Sequence, residues 1–464
     1  VEWNVASISA ADFGFLFAFL PLVFVLFYFP GVTVLRPYLL IAASLIFYSF
    51  AGIEHAIVLV ADIVWVYFIV TRGSFRRSDA MLYAAIIPPA IALAYYKYAG
   101  FLITSAFDIA VPETRAQFSL FLDVLLPAGI SFFTFQVISF AIDRHRGEID
   151  VLPSLPTFAT FISFFPQLVA GPILRYHDVS GTLLTLKSLR MDGDKIARGV
   201  GYICIGLAAE VLIADTLSHY IEPYRNAPEL VSQFTAVYVV FAYSFQIYFD
   251  FYGYSMIAIG LGALFGFSFP HNFNRPYEAK SPQDFWRRWH MTLSFWIKDY
   301  LYIPLGGNKA YVRNIVIVMA ACGLWHGAGW TFIFWGLYHA ALVVTYHFTR
   351  NFWDNLPTLF QVAITFVLVS IGWILFLYDF DGVYTFILHA ANSADSQASL
   401  PSLEMWIALG VAAAICFFVN FEKFAENKSN NLTGSFILNV TLAVLFVVTL
   451  IFLDRSETFI YFRF

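Results

Sequence analysis

Gly323-Leu324-Trp325-His326-Gly327-Ala328-Gly329-Trp330 joins two apolar runs, 311–327 and 329–348, and so places a histidine on a glycine-flanked break at or within a membrane. An ionisable side chain there is costly to bury and is a functional candidate by default. The bland alternative is a neutral histidine whose two nitrogens are satisfied by neighbouring helices. The glycines favour function, because they let a backbone or ligand approach the ring closely. The flanking runs decide the fold class, for they are two of many. A bilayer core about 30 Å thick needs roughly 20 mostly apolar residues per helix. Twelve runs qualify: 13–29, 33–50, 53–70, 80–97, 117–142, 196–214, 231–265, 311–327, 329–348, 359–378, 404–420 and 434–453. The expectation is an all-α, polytopic membrane protein of about 12 transmembrane helices. Two further apolar pieces, 157–174 and 292–306, contain prolines, glycines or charges and read as re-entrant or interfacial. The first 30 residues lack a basic n-region and a small-residue cleavage site, so they read as a first span and not a signal peptide.

Composition agrees. Hydrophobic residues make up 60% of the 464 and charged residues 12%, about half the charge of a soluble chain. Mean hydropathy is +0.73, which leaves too little polar surface for a water-facing particle. The net charge is −5 and the basic residues are dispersed, so nothing points to nucleic acid. Cys204, Cys322 and Cys416 lie in apolar stretches without a CxxC pair and indicate neither a disulfide framework nor a metal site. Because Lys and Arg accumulate in cytoplasmic loops, their distribution over alternate sides of the twelve runs sets an orientation. One side carries 21, including Arg36, Arg76, Arg175 and Lys428; the other keeps Lys97, Arg115, Arg225, Arg455 and Arg463. On that second side the 379–404 loop has Asp379, Asp381, Asp395 and Glu404 and no base. Both termini are expected outside. With no visible repeat, low-complexity tract or long linker, residues 1–464 read as one membrane domain.

The chemistry concentrates between about 164 and 347. Six of the eleven Trp fall between 286 and 335, and Trp gathers beside polar cavities because its N–H needs a partner. In Phe285-Trp286-Arg287-Arg288-Trp289-His290-Met291-Thr292, helical spacing puts Trp286, Trp289 and His290 on one face. An interfacial helix anchored by Trp and Arg is the bland reading. Beyond it, Trp296-Ile297-Lys298-Asp299-Tyr300 sets a base and an acid in apolar surroundings, and Pro304-Leu305-Gly306-Gly307-Asn308 turns the chain. Basic groups here suit coenzyme phosphates or lipid headgroups. In Tyr248-Phe249-Asp250-Phe251-Tyr252-Gly253-Tyr254-Ser255 an acid interrupts a hydrophobic run, as an internal anchor or part of a proton path. Phe165-Pro166-Gln167-Leu168-Val169-Ala170-Gly171-Pro172 suits a re-entrant hairpin lining a cavity. His339 and His347, near the end of their span, read as structural or interfacial.

At these residues the chain resembles the membrane-bound O-acyltransferase family, in its branch of bacterial alginate O-acetylation membrane subunits. The likeness rests on Phe164 to Ile173, on Asp250-Phe251-Tyr252-Gly253-Tyr254-Ser255 and on Asn272-Phe273-Asn274-Arg275-Pro276-Tyr277. It continues through Arg287-Arg288-Trp289-His290 to Asn308 and Gly323-Leu324-Trp325-His326-Gly327, with looser likeness at Phe17 to Leu22 and Phe459 to Phe464. The resemblance implies tilted helices around a tunnel across the membrane, with His326 catalytic and His290 its partner. Asp250, Tyr254, Ser255, Trp286, Arg287, Arg288, Trp289, Lys298, Asp299, Asn308 and Trp325 are the residues then expected along the substrate path. It implies acetyl-CoA as cytoplasmic donor, no metal, an extracytoplasmic SGNH-type partner and, indirectly, a polysaccharide acceptor, all at a bacterial inner membrane. This chain departs from the branch at Met256, where Asp is usual, at Ala340, where Gly is usual, and at Ala209-Glu210, which replace a basic pair.

Acyl transfer needs a base for the attacking hydroxyl, and an imidazole suits that role near neutral pH. His326 is the expected base and His290 a donor to the oxyanion, or else His326 carries the acyl group covalently. The rival functions are D-alanyl or other acyl transfer from a carrier protein, and a proton-coupled transporter or flippase. The last predicts inverted repeats, which the sequence does not display.

Overall fold

A computed structural model describes residues 12–107, 117–122, 124–392, 400–420 and 432–453. Arg115, Asp395, Lys423, Lys428, Arg455, Arg463 and the Phe459 to Phe464 motif lie outside them. In an apolar medium each backbone N–H and C=O must bond within the chain, and uncharged runs satisfy this as helices. Among the described residues there is no strand. Helices follow as α1 (Leu20–Tyr28), α2 (Arg36–Ser49), α3 (Ile53–Val70), α4 (Asp79–Ala106), α5 (Ile130–Arg146), α6 (Leu155–Ser163) and α7 (Tyr176–Thr185). Then come α8 (Gly193–Leu207), α9 (Asp215–Asn226), α10 (Gln233–Leu264), α11 (Met291–Ile297) and α12 (Tyr311–His326). The series ends with α13 (Trp330–Trp353), α14 (Thr358–Gly372), α15 (Phe380–Ala391), α16 (Leu403–Phe418) and α17 (Leu432–Phe452).

Every one of the twelve apolar runs contains a helix, with one correction. Run 117–142 is not a single span. Its short helix Ser119–Leu122 is separated from α5 by Pro127, which cannot donate to a helical ladder, and by Gly129 at φ 73°. Among the described residues six helical stretches are long and apolar enough to cross a membrane: Pro30–Ser49, Ile53–Val70, Asp79–Ala106, Gly193–Asn226, Gln233–Leu264 and Thr358–Leu377. Within Gly193–Asn226 a π-helical segment, Ala208–Ala214, links α8 to α9.

The chain forms two compact units, one of Val1–Ile203 with Ile257–Pro270 and one of Cys204–Met256 with His271–Phe464. In the first, the guanidinium of Arg36 is buried at the start of α2. Its Nε donates to Phe27 O at 2.8 Å, and its Nη1 donates to Leu186 O at 2.9 Å and Leu189 O at 2.7 Å. The segment Phe164 to Leu174 is wholly buried and mostly irregular, so its backbone must find partners outside a helix. Ser44 Oγ accepts from Phe165 N at 3.0 Å. Gln136 donates to Gln167 Oε1 at 2.8 Å, and Gln167 Nε2 donates to Phe161 O at 2.8 Å. Phe19, Phe47 and Phe265 pack their rings on Phe165 of this segment.

Candidate active site

All the geometry that follows lies within the second unit. α12 and α13 form a helical hairpin whose backbones touch. A Cβ built on Gly323 would stand 2.1 Å from Phe332 O, and one on Gly336 2.1 Å from Met319 O, so any side chain at either position would force the helices apart. α12 ends at His326, where Gly327 turns extended at φ −160°. The imidazole of His326 is 2% exposed. It meets the rings of Trp325 at 4.8 Å, Trp335 at 5.2 Å and Phe376 at 5.3 Å.

His290 reaches the same place by a different route. Helical spacing suggested that Trp286, Trp289 and His290 share a helix face, but the helix Pro282–Trp286, capped by Ser281, stops there, and Arg287 to His290 are not helical. The chain is diverted by pairing with a segment far back in sequence: Asn274 N donates to Arg288 O at 2.9 Å and Met291 N to Asn272 O at 2.8 Å. His290 itself takes the left-handed conformation, φ 43° and ψ 54°, before α11. Apart from Arg275 it is the only non-glycine residue among those described with positive φ, a strained geometry that concentrates at functional sites. The ring is fully buried. Phe251 of α10 abuts it edge-on at 4.7 Å, Trp325 lies at 5.5 Å, and the His326 ring at 6.2 Å. Neither nitrogen of His290 has a hydrogen-bond partner among the described residues.

The structure therefore brings His290, His326 and Trp325 together and disperses the other sequence candidates. Trp286, Lys298 and Ser294 line a cavity of about 180 Å³ with Ile297, Tyr302, Met319 and Cys322. Cys322 stands one turn before His326 and Ser294 one turn after His290, so the cavity borders both histidines' helices. Trp289 is buried between Phe285, Phe273 and Trp373. Arg287 is exposed, Arg288 pairs with Asp284 at 2.9 Å, Asp299 is half-buried, and exposed Asn308 accepts from Tyr302. On α10, Ser255 shares the side of Phe251, whereas Asp250 and Tyr254 share the side of Gly253. That side packs on the π-helical segment: a Cβ on Gly253 would lie 2.7 Å from Gly206 O and 2.9 Å from Glu210 N. The buried Glu210 carboxyl lies within electrostatic reach of Asp250.

Two neighbours of the histidines were given no role by sequence reasoning. Phe376 gives no local signal. Asn272 sits in a polar cluster within apolar surroundings, which is a usable signal. His339, read as structural or interfacial, takes the structural course: it is fully buried against Trp335 at 4.7 Å and Trp286 at 5.1 Å, one turn beyond Trp335 on α13.

A helical fold with several membrane-length apolar stretches is that of a membrane protein, and the buried histidine pair is its candidate reactive centre. The family model described as MBOAT, membrane-bound O-acyltransferase family, matches residues 56–380, and the chain belongs to that family: it is a multi-pass membrane acyltransferase. It is 36% identical over 436 residues to the probable alginate O-acetylase AlgI of Pseudomonas syringae, covering 90% of this chain and 82% of that protein. It is 35% identical over 407 residues to the peptidoglycan O-acetyltransferase of Helicobacter pylori, with 78% and 75% covered. A teichoic acid D-alanyltransferase of Bacillus subtilis is 31% identical over 270 residues, 53% of this chain and 68% of that one.

Proposed function

We propose that the chain moves an acetyl group from cytoplasmic acetyl-CoA through the bilayer for O-acetylation of an extracytoplasmic polysaccharide, handing it to an SGNH-type partner. The observation that carries this reading is the approach of the His290 and His326 rings to 6.2 Å in a buried aromatic enclosure. That separation lets both rings contact one reacting group, as direct catalytic contacts require. His326 takes the proton of the attacking hydroxyl as its oxygen bonds the thioester carbonyl carbon. The tetrahedral oxyanion is met by an N–H of His290. The C–S bond then breaks, and the leaving thiolate recovers the proton from His326. A covalent acyl-His326 remains the alternative course.

The cavity of about 180 Å³, lined by Ser294 of α11 and Cys322 of α12 one turn from either histidine, is our candidate for the donor's thioester arm, with the Lys298 ammonium at its wall for an anionic group. With α5 in place of run 117–142, the apolar runs would cross a bacterial inner membrane, both termini outside, as the 21-to-5 division of basic residues supports. Names among the relatives favour acetyl transfer to alginate or peptidoglycan over D-alanyl transfer, since the O-acetylating relatives match more of the chain.

The test is to incubate the purified protein with acetyl-CoA labelled in the acetyl group. Label released, retained on the chain or passed to an added polysaccharide–partner system supports the reading. Acetyl-CoA left intact, with turnover of an aminoacyl carrier-protein thioester instead, overturns the donor.

A further inference from the structure

Asn272-Phe273-Asn274 belongs to the most polar loop near the histidines, yet no step above uses it. Asn272 is 1% exposed and all its side-chain polar atoms are engaged. Its carbonyl oxygen accepts from Met291 N at 2.8 Å. Its Oδ1 accepts from Thr292 Oγ1 at 2.6 Å, and its Nδ2 donates to Ser255 Oγ at 3.0 Å. Two residues on, Asn274 N holds Arg288 O at 2.9 Å. The loop thus grips the chain on both sides of His290, at 288 and at 291–292. Through Ser255 it ties that grip to α10, one turn from Phe251, whose ring edge abuts the His290 imidazole at 4.7 Å.

From this geometry we infer that Asn272 is the positioning residue that holds His290 in its left-handed conformation and aims its imidazole at the reacting group. The inference rests on the reading of His290 as a residue that contacts substrate. An amide is suited to the task because it presents an acceptor and donors from one rigid plane: the acceptor takes the hydroxyl that follows His290, and the donor anchors to α10. Nothing on the His290 ring itself fixes its direction by hydrogen bonding among the described residues, so direction must come from backbone held elsewhere. Relaxation of residue 290 toward an ordinary φ would swing the imidazole away from Phe251 and His326. Misplacement of about 1 Å costs roughly 10²-fold in rate.

The experiment compares the full-length chain with Asn272→Leu, Ser255→Ala, His290→Ala and the double variant Asn272→Leu/His290→Ala, in membranes at equal protein level. Acetyl transfer from labelled acetyl-CoA is followed alongside mass-spectrometric mapping of histidines modified by diethyl pyrocarbonate. Asn272→Leu is expected to lower kcat about 100-fold with KM for the donor little changed, and to add nothing in the His290→Ala background. His290 becomes reactive to the reagent in this variant while His326 stays protected. Ser255→Ala, which removes one anchor only, gives the same pattern more weakly and keeps the proposal testable if Asn272→Leu does not fold. An equal loss from Asn272→Leu with and without His290, or a His290 as protected as in the unmodified chain, overturns the inference. Full activity of His290→Ala would remove the reading of His290, while the modification result still decides whether Asn272 positions it.

Discussion

The approach of α12 to α13 sets where His326 stands, and one methyl group tests it. In Gly323→Ala the new Cβ would lie 2.1 Å from Phe332 O, a backbone atom that has no rotamer to move into, whereas real Cβ contacts stay beyond 3.0 Å. The helices must part by about 0.9 Å or bend. Overpacking of this kind costs about 1–3 kcal/mol, which a well-folded membrane bundle survives. The site is less tolerant. His326 is three residues further along the same helix and must meet a reacting group within about 3 Å, so a shift near 1 Å lowers acyl transfer about 10²-fold. Gly410→Ala in α16 is the control, because nothing lies within 4 Å of its Cβ and alanine is the better helix former. The assay is initial-rate acyl transfer by each variant in membranes, normalised to folded protein by detergent gel filtration. Gly323→Ala with unaltered rate at equal folded protein would refute the claim that this backbone contact positions His326.

Other consequences are equally direct. His326→Ala lowers acyl transfer by about 10²–10⁴-fold, the contribution of a lost general base, with the melting temperature in detergent little changed; normal polymer acetylation by that variant excludes the assignment. Arg36→Ala leaves the carbonyls of Phe27, Leu186 and Leu189 without their buried donor and destabilises the first unit by about 2–5 kcal/mol, read as a lower yield of monodisperse protein. For the orientation, single cysteines at Ser78 and Ser429 stay protected from an impermeant thiol reagent in intact cells, while one at Ser396 reacts; the reverse pattern inverts the topology.

Helices were legible because burial in hydrocarbon imposes a local rule that apolar run length reports directly. The break at 287–290 was not. Trp286, Trp289 and His290 repeat with helical spacing, but the backbone there bonds to Asn272 and Asn274, and such a partner leaves no trace in a local period. For the same reason the meeting of His290 and His326, 36 positions apart, rests on tertiary contacts through Phe251 and Trp325. Asp250 shows the converse case: the acid interrupting an apolar run stood out in the sequence, yet its side of α10 packs toward Glu210. Run 117–142 failed on Pro127 and Gly129, two residues whose backbone chemistry outweighs the hydropathy of their neighbours.

The contrast with hydrolase triads explains why the His290 loop is built as it is. There a buried carboxylate orients the imidazole by bonding one nitrogen, which leaves one nitrogen for chemistry. Here the direction of His290 is set by a left-handed backbone, an edge contact from Phe251 and the plane of Trp325. A strained backbone of this kind costs about 1–3 kcal/mol. The three hydrogen bonds of Asn272, at about 0.5–1.5 kcal/mol each net, offset that cost. The result is an imidazole with neither nitrogen bonded among the described residues, next to a loop held by Asn272 and Ser255. On the proposed function, a site that passes an acyl group between a donor on one side and an acceptor on the other would gain from a histidine available at both nitrogens, and the aromatic enclosure of Trp325, Trp335 and Phe376 would keep water from the thioester.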